Sequence, residues 1–222
     1  MFFFYIYFHY FYVILLEARD RHSTFKTKDT ALDSEKNLYI AAGPNGSGKT
    51  TFARQFLKEH DYIFLNADEI AKEINPERIE DVQLTAGRVF IRRLFDNVEL
   101  GNNIMIESTL SGMYLHRILP KLKAKGYKIS IVYVFLEHPR ICIERIKERV
   151  LKGGHFVPDN DVVRRFFRSK RNFWKIYRLE SDSWYIFFNS DSHFQEVAQG
   201  KKSEVKVHNE LFFELYLQDV NI

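Results

Sequence analysis

The chain has 222 residues, enough for one α/β domain with a sizeable core. Its single cysteine, Cys142, excludes an internal disulfide framework and points to a reducing, cytoplasmic setting, and no cysteine–histidine cluster has zinc spacing. The net charge of +4 is uneven, with twelve Lys/Arg against four Asp/Glu between Arg140 and Arg178, and this basic block on an otherwise acidic chain fits one anionic-ligand site, or a solvated helix face, better than a nucleic-acid surface.

Residues 2–16, FFFYIYFHYFYVILL, are apolar, but as a helix they would span only about 22 Å against the roughly 30 Å of a hydrocarbon core. No charged segment precedes the run and no small-residue cleavage site follows it, which disfavours a signal peptide. An interfacial anchor, an element covering the core and a start codon placed too early all remain open, and the Phe/Tyr bias favours the third. No membrane partner is expected unless this run belongs to the natural protein. Residues 17–37 are polar and read as a linker, so an extension over 1–36 and a folded domain over 37–222 are expected.

From there strands and helices alternate. LYIAA (38–42) is a short buried strand, and 47–60 is a helix carrying Phe52, Phe56 and Leu57. A second strand, 62–68, leads to a short helix over 69–74. The helix over 79–101 puts Val82, Ala86, Val89, Phe90, Leu94 and Val98 on one face, with Gly101 as its stop. The third strand (103–109) precedes a helix with an internal proline (114–126). The fourth strand (128–137) precedes a helix with proline in its first turn (139–151). A helix over 161–177, a fifth strand over 184–190, a short β pair and a last helix over 209–218 complete the chain. Phe166, Phe167, Phe173 and Trp174 read as a helix face packed on the core. This alternation implies parallel βαβ units, hence an α/β three-layer sandwich with a mostly parallel five-stranded sheet and a small C-terminal β addition.

The motif carrying chemistry is Gly43-Pro44-Asn45-Gly46-Ser47-Gly48-Lys49-Thr50, followed by Thr51, between the first strand and the first helix. Glycines let successive N–H groups point inward around phosphates, and the helix start adds its positive dipole end. Lys49 can reach the β- and γ-phosphates and the Thr50 hydroxyl can ligate Mg²⁺, so ATP and Mg²⁺ are the expected cofactors. Asp68, ending the second strand, lies at the sheet edge where ligands of such folds bind. It suits a base for a hydroxyl nucleophile, and it equally suits a helix N-cap. Glu107 reaches the same edge in ESTLSG (107–112), for substrate hydrogen bonding or for loop capping. The segment 148–169 places glycines, His155 and a proline between arginine-bearing helices. It reads as a lid over about 149–165 that brings Arg149, Arg164, Arg165 or Arg168 to transferring phosphate. His155 can contact phosphate or substrate, though a lone loop histidine is more often simply exposed.

In this order, GPNGSGKTT, NADEIAKEINP, ESTLSG and GGHFVPDNDVVRRFFRSKRNFW resemble the zeta-toxin-like branch of P-loop kinases over about residues 37–207. The resemblance implies a nucleoside-kinase-type P-loop fold and ATP-dependent phosphorylation of a small-molecule hydroxyl, UDP-N-acetylglucosamine in the toxins, with an antitoxin as partner. It also implies Lys49 on ATP phosphates, Thr50 on Mg²⁺, Asp68 as base, Glu107 and Thr109 near the substrate, and Arg149 with Arg164 or Arg165 at the γ-phosphate. The lid sequence matches the family's shorter relatives. A nucleotide or polynucleotide kinase and a nucleotide-gated binding module are the competing classes.

Overall fold

Strands buried on both faces carry continuous apolar runs, and these runs form the centre of the sheet. The computed structural model describes residues 35–190 and 193–220, so the expected aromatic run and nearly all of the expected linker lie outside the described residues. The strands are β1 (Asn37–Ala42), β2 (Ile63–Leu65), β3 (Ile104–Ser108), β4 (Lys128–Phe135), β5 (Ser183–Ser190), β6 (His193–Gly200) and β7 (Lys206–Val207). They form one sheet in the order β2-β3-β1-β4-β5-β6-β7. β2 to β5 all run parallel to β1, while β6 and β7 add antiparallel. The five parallel strands match the expectation. The C-terminal β addition is the antiparallel pair of β6 and β7, and β6, eight residues long, joins it to the main sheet along β5.

β1 is central, and the chain leaves it towards β2 on one side and later fills β4 and β5 on the other. Its carboxyl end is therefore the switch point at which open α/β sheets bind ligands. The helices are α1 (Lys49–Leu57), α2 (Ala67–Ile74), α3 (Gln83–Glu99), α4 (Tyr114–Ala124), α5 (Pro139–Leu151), α6 (Asp159–Asn172) and α7 (Glu210–Gln218). A 3₁₀ turn, Ile79–Val82, leads into α3. The face expected on α3 is inward: Ala86, Phe90, Leu94 and Val98 are buried, and Val82 and Val89 pack against them. Pro120 lies inside α4, on its exposed side.

The element starting at α6 departs from simple helical periodicity. It widens into a π-helical turn, Phe173–Tyr177, and ends on one more α-turn, Arg178–Glu180. Phe173 and Tyr177 are both fully buried, and the Tyr177 hydroxyl donates to the Gly112 carbonyl at 2.6 Å. A period of 3.6 cannot announce such a turn, because it depends on what these rings meet across the core. Phe166 is likewise buried, while Phe167 and Trp174 are partly so, as expected for a core face. α7 lays Tyr216 against Phe135 and Tyr133, with ring centroids 5.2 and 5.8 Å apart. Asp219, just beyond α7, pairs with Lys170, a lysine buried among the rings of Phe135, Phe166 and Tyr216. The C-terminal helix is thereby tied to α6.

Candidate active site

The turn from β1 into α1 is possible only because its glycines take left-handed backbone. Gly43 has φ +139° and a Cβ there would lie 2.1 Å from the Val134 carbonyl oxygen on β4. Gly43→Ala is therefore expected to lower unfolding free energy by about 3 kcal/mol or more, measured by urea titration. Gly48 has φ +99°, and the space a side chain would fill holds Asn189. The Asn189 amide donates to the Ser47 carbonyl at 2.7 Å, so the end of β5 braces the loop. On the other side Gly46 rests against the backbone of Cys142 in α5. Burial pushes the Cys142 thiol up to about 12. Cys142 should thus resist alkylation by iodoacetamide at pH 8 until the protein is unfolded, as intact-mass measurement would show.

Lys49 opens α1, is buried, and donates from Nζ to the Pro44 carbonyl at 2.9 Å. Its ammonium lies 3.8 Å from Glu107 Oε1. Burial lowers the Lys49 pKa, Glu107 and Asp68 oppose that, and Arg149 adds to it. Burial raises the Glu107 pKa, against the pull of Lys49 and the Thr50 hydrogen bond. Each of these two charges thus depends on the other. Thr50 Oγ1 donates to Glu107 Oε2 at 2.8 Å. A hydroxyl and a carboxylate oxygen side by side at the phosphate loop are hard ligands of the kind Mg²⁺ takes alongside nucleotide phosphates.

The N-cap of α2 is Asn66, whose side chain accepts from the Asp68 N–H at 2.8 Å. The capping role open to Asp68 in the sequence therefore belongs to its neighbour. Asp68 itself is an exposed residue in the first helical turn, where the helix dipole favours a carboxylate. It lines a pocket of about 160 Å³ together with Asn45 from the loop, Ala67 and Ala71 from α2, Gln83 opening α3, His155 and Val157 from the stretch between α5 and α6, and Arg165 from α6.

Within the segment expected as a lid (about 149–165), the backbone is irregular over 152–158, between α5 and α6. Arg149 fixes it from below by donating to the His155 carbonyl at 2.7 Å, and Val157 is buried in the cluster with Ile146 and Phe166. The His155 ring faces Gln83, with 3.3 Å between their Nε2 atoms. Arg164 is exposed and paired with Asp161 at 2.7 Å, while Arg165 approaches the same carboxylate at 3.4 Å.

The fold thus brings Asn45, Asp68, His155 and Arg165 to one pocket, with Lys49, Thr50 and Glu107 interacting beside the loop. Thr51 is exposed on α1 and Arg168 on α6. The Thr109 hydroxyl pairs with Ser111 at 2.8 Å, and its carbonyl accepts from Ser169. Asn45 Oδ1, Ser47 Oγ and Arg149 Nε are buried without a partner. A hydroxyl and a guanidinium N–H left in this state beside a phosphate loop fit an incoming phosphate. The sequence reading missed Asn66, Gln83 and Asn189. Asn66 was signalled by standing just ahead of a helix, and Asn189 by closing a strand at the ligand edge.

A sequence profile described as Zeta toxin matches residues 21–192, starting upstream of the expected domain boundary at 37. An uncharacterized protein of Haemophilus influenzae is 33% identical over 124 residues, which cover 56% of this chain and 88% of that protein. The solved structure of AvrRxo1-ORF1:-ORF2 with ATP is 17% identical with a TM-score of 0.63, covering 85% of this chain but only 64% of that one. A structure from the PezAT chromosomal toxin–antitoxin system of Streptococcus pneumoniae is 16% identical with a TM-score of 0.57, covering 92% and 93% of the two chains. At these identities the two structures speak for the fold, which is that of P-loop NTPases. Among the described residues no helix is long and apolar enough to cross a membrane.

Proposed function

The chain belongs to the zeta toxin family, and from that premise we propose that it transfers the γ-phosphoryl group of ATP to a hydroxyl of a small acceptor bound between α2 and the lid. An ATP-dependent kinase is what the family and the phosphate loop together make this protein. The acceptor and the residue roles are our reading, and the observation that carries it is Asp68 sharing one pocket with Asn45, His155 and Arg165.

In this reading the loop amides and Lys49 hold the β- and γ-phosphates. Thr50, with Glu107 beside it, would hold Mg²⁺, which when bound offsets charge on the phosphate oxygens. Asp68 accepts the proton of the acceptor hydroxyl as that oxygen forms a bond to the γ-phosphorus and the bond to the bridging oxygen breaks, releasing ADP. Arg165, and Arg149 through its unpartnered Nε, meet the charge that develops on the transferred group. His155 and Gln83 face the acceptor from the lid and α3. The pocket volume is close to the roughly 150 Å³ of a cavity that holds one benzene ring, so an acceptor larger than one small ring extends outside it.

UDP-N-acetylglucosamine is the first acceptor to test, since a UDP-sugar is the acceptor that the resemblance implies. A protein antitoxin belongs to the same reading, because PezAT of S. pneumoniae is described as a toxin–antitoxin system. The test is ADP release from ATP and Mg²⁺ with a panel of UDP-sugars, monosaccharides, nucleosides and nucleic-acid ends. Release that requires one hydroxyl acceptor supports the proposal. Hydrolysis indifferent to every acceptor favours a nucleotide-gated module.

A further inference from the structure

β2 and β3 pair in parallel with Leu65 opposite Ile106. The next residues along each strand are therefore side by side, and they are Asn66 and Glu107. Asn66 is 7% exposed, and both ends of its carboxamide are engaged. Nδ2 donates to Glu107 Oε2 at 2.9 Å, and Oδ1 accepts from the Asp68 N–H at 2.8 Å. Turning the amide over would set its NH₂ against an N–H and its carbonyl against a carboxylate, so only this orientation satisfies both partners. Glu107 Oε2 also accepts from Thr50. One amide thus joins three elements at the ligand edge: α1 through Thr50, β3 through Glu107, and α2 through Asp68.

We propose that Asn66 is a positioning residue that couples the nucleotide half of the site, Thr50 and Glu107, to the acceptor half, Asp68. The proposal rests on the reading of Asp68 as the acceptor-side base. A side chain needed only to cap α2 would use its oxygen alone. Here the nitrogen end is spent on a buried carboxylate in contact with the phosphate loop. Any change in the partners of Glu107 when nucleotide enters therefore reaches the first turn of α2 through a single rigid group.

Asn66→Ser separates the two roles, because serine caps helices about as well as asparagine yet is too short to bridge both partners. Two readouts are taken: steady-state turnover, and the backbone amide resonance of Asp68 during titration with Mg²⁺ and a nonhydrolysable ATP analogue. Wild type should show a shift of the Asp68 resonance on nucleotide binding. Asn66→Ser should melt close to wild type and bind the analogue within about threefold. It should lose the Asp68 shift and about tenfold or more in kcat, with a smaller change in acceptor KM. Asn66→Asp keeps a cap but sets a carboxylate against Glu107, and should lose the coupling as well, so the question stays decided if one variant folds poorly. Retention in both variants of the shift and of kcat within about twofold would reduce Asn66 to a cap and overturn the proposal. Wild type that binds nucleotide but turns over no acceptor would sink the phosphotransfer reading alone, since the Asp68 shift still decides the coupling.

Discussion

Asp68→Asn is expected to reduce acceptor-dependent ADP release by about 10²–10⁴-fold while leaving ATP affinity within about threefold. The substitution preserves side-chain size, so the pocket keeps its shape and only the capacity to accept a proton is lost. The cap of α2 is untouched because Asn66 supplies it. Asp68 does not hydrogen-bond Lys49 or Thr50, whose partners are Pro44 and Glu107, so the phosphate loop should grip nucleotide as before. Initial-rate kinetics alongside titration calorimetry would check both halves. Loss of turnover together with loss of ATP binding would place Asp68 on the nucleotide side and remove the assigned base.

Lys49→Ala should have the other large effect, a fall in kcat/KM of about 10²–10³-fold or more with weakened nucleotide binding. Two things go at once. The ammonium proposed to hold phosphate is lost, and Glu107 keeps only hydrogen bonds in a site where burial already raises its pKa. Breaking a buried pair by removing one partner costs about 3–5 kcal/mol, less whatever Glu107 recovers by taking up a proton. Lys49→Arg should not rescue, because the side chain is 7% exposed and a guanidinium is broader and forked. Nucleotide titration and urea unfolding would separate the contributions, and an active Lys49→Arg enzyme would contradict the tight loop seen here.

Much of this was legible in the sequence because it is local. The spacing of Gly43, Gly48, Lys49 and Thr50 dictates a phosphate loop wherever a strand meets a helix. The series Ala86, Phe90, Leu94 and Val98 announces its own inward face. What was not legible depends on partners distant in sequence. The link from Asn66 to Glu107 exists because Leu65 and Ile106 fall in register. Asn189 reaches the loop across 142 residues. The turn at Phe173–Tyr177 answers to rings on β4, β5 and α7. The contacts of Glu107 with Thr50 and Lys49 are likewise set by where β3 ends relative to α1.

The most direct test of the central claim is a crystal structure with Mg²⁺ and a nonhydrolysable ATP analogue. The account predicts the γ-phosphate on the loop amides and Lys49, with the Asp68 carboxylate facing it across a gap that one acceptor oxygen fills, roughly 3 Å from each side. Asp68 turned to solvent with nucleotide bound and the lid closed, or a triphosphate seated away from Lys49, would contradict it.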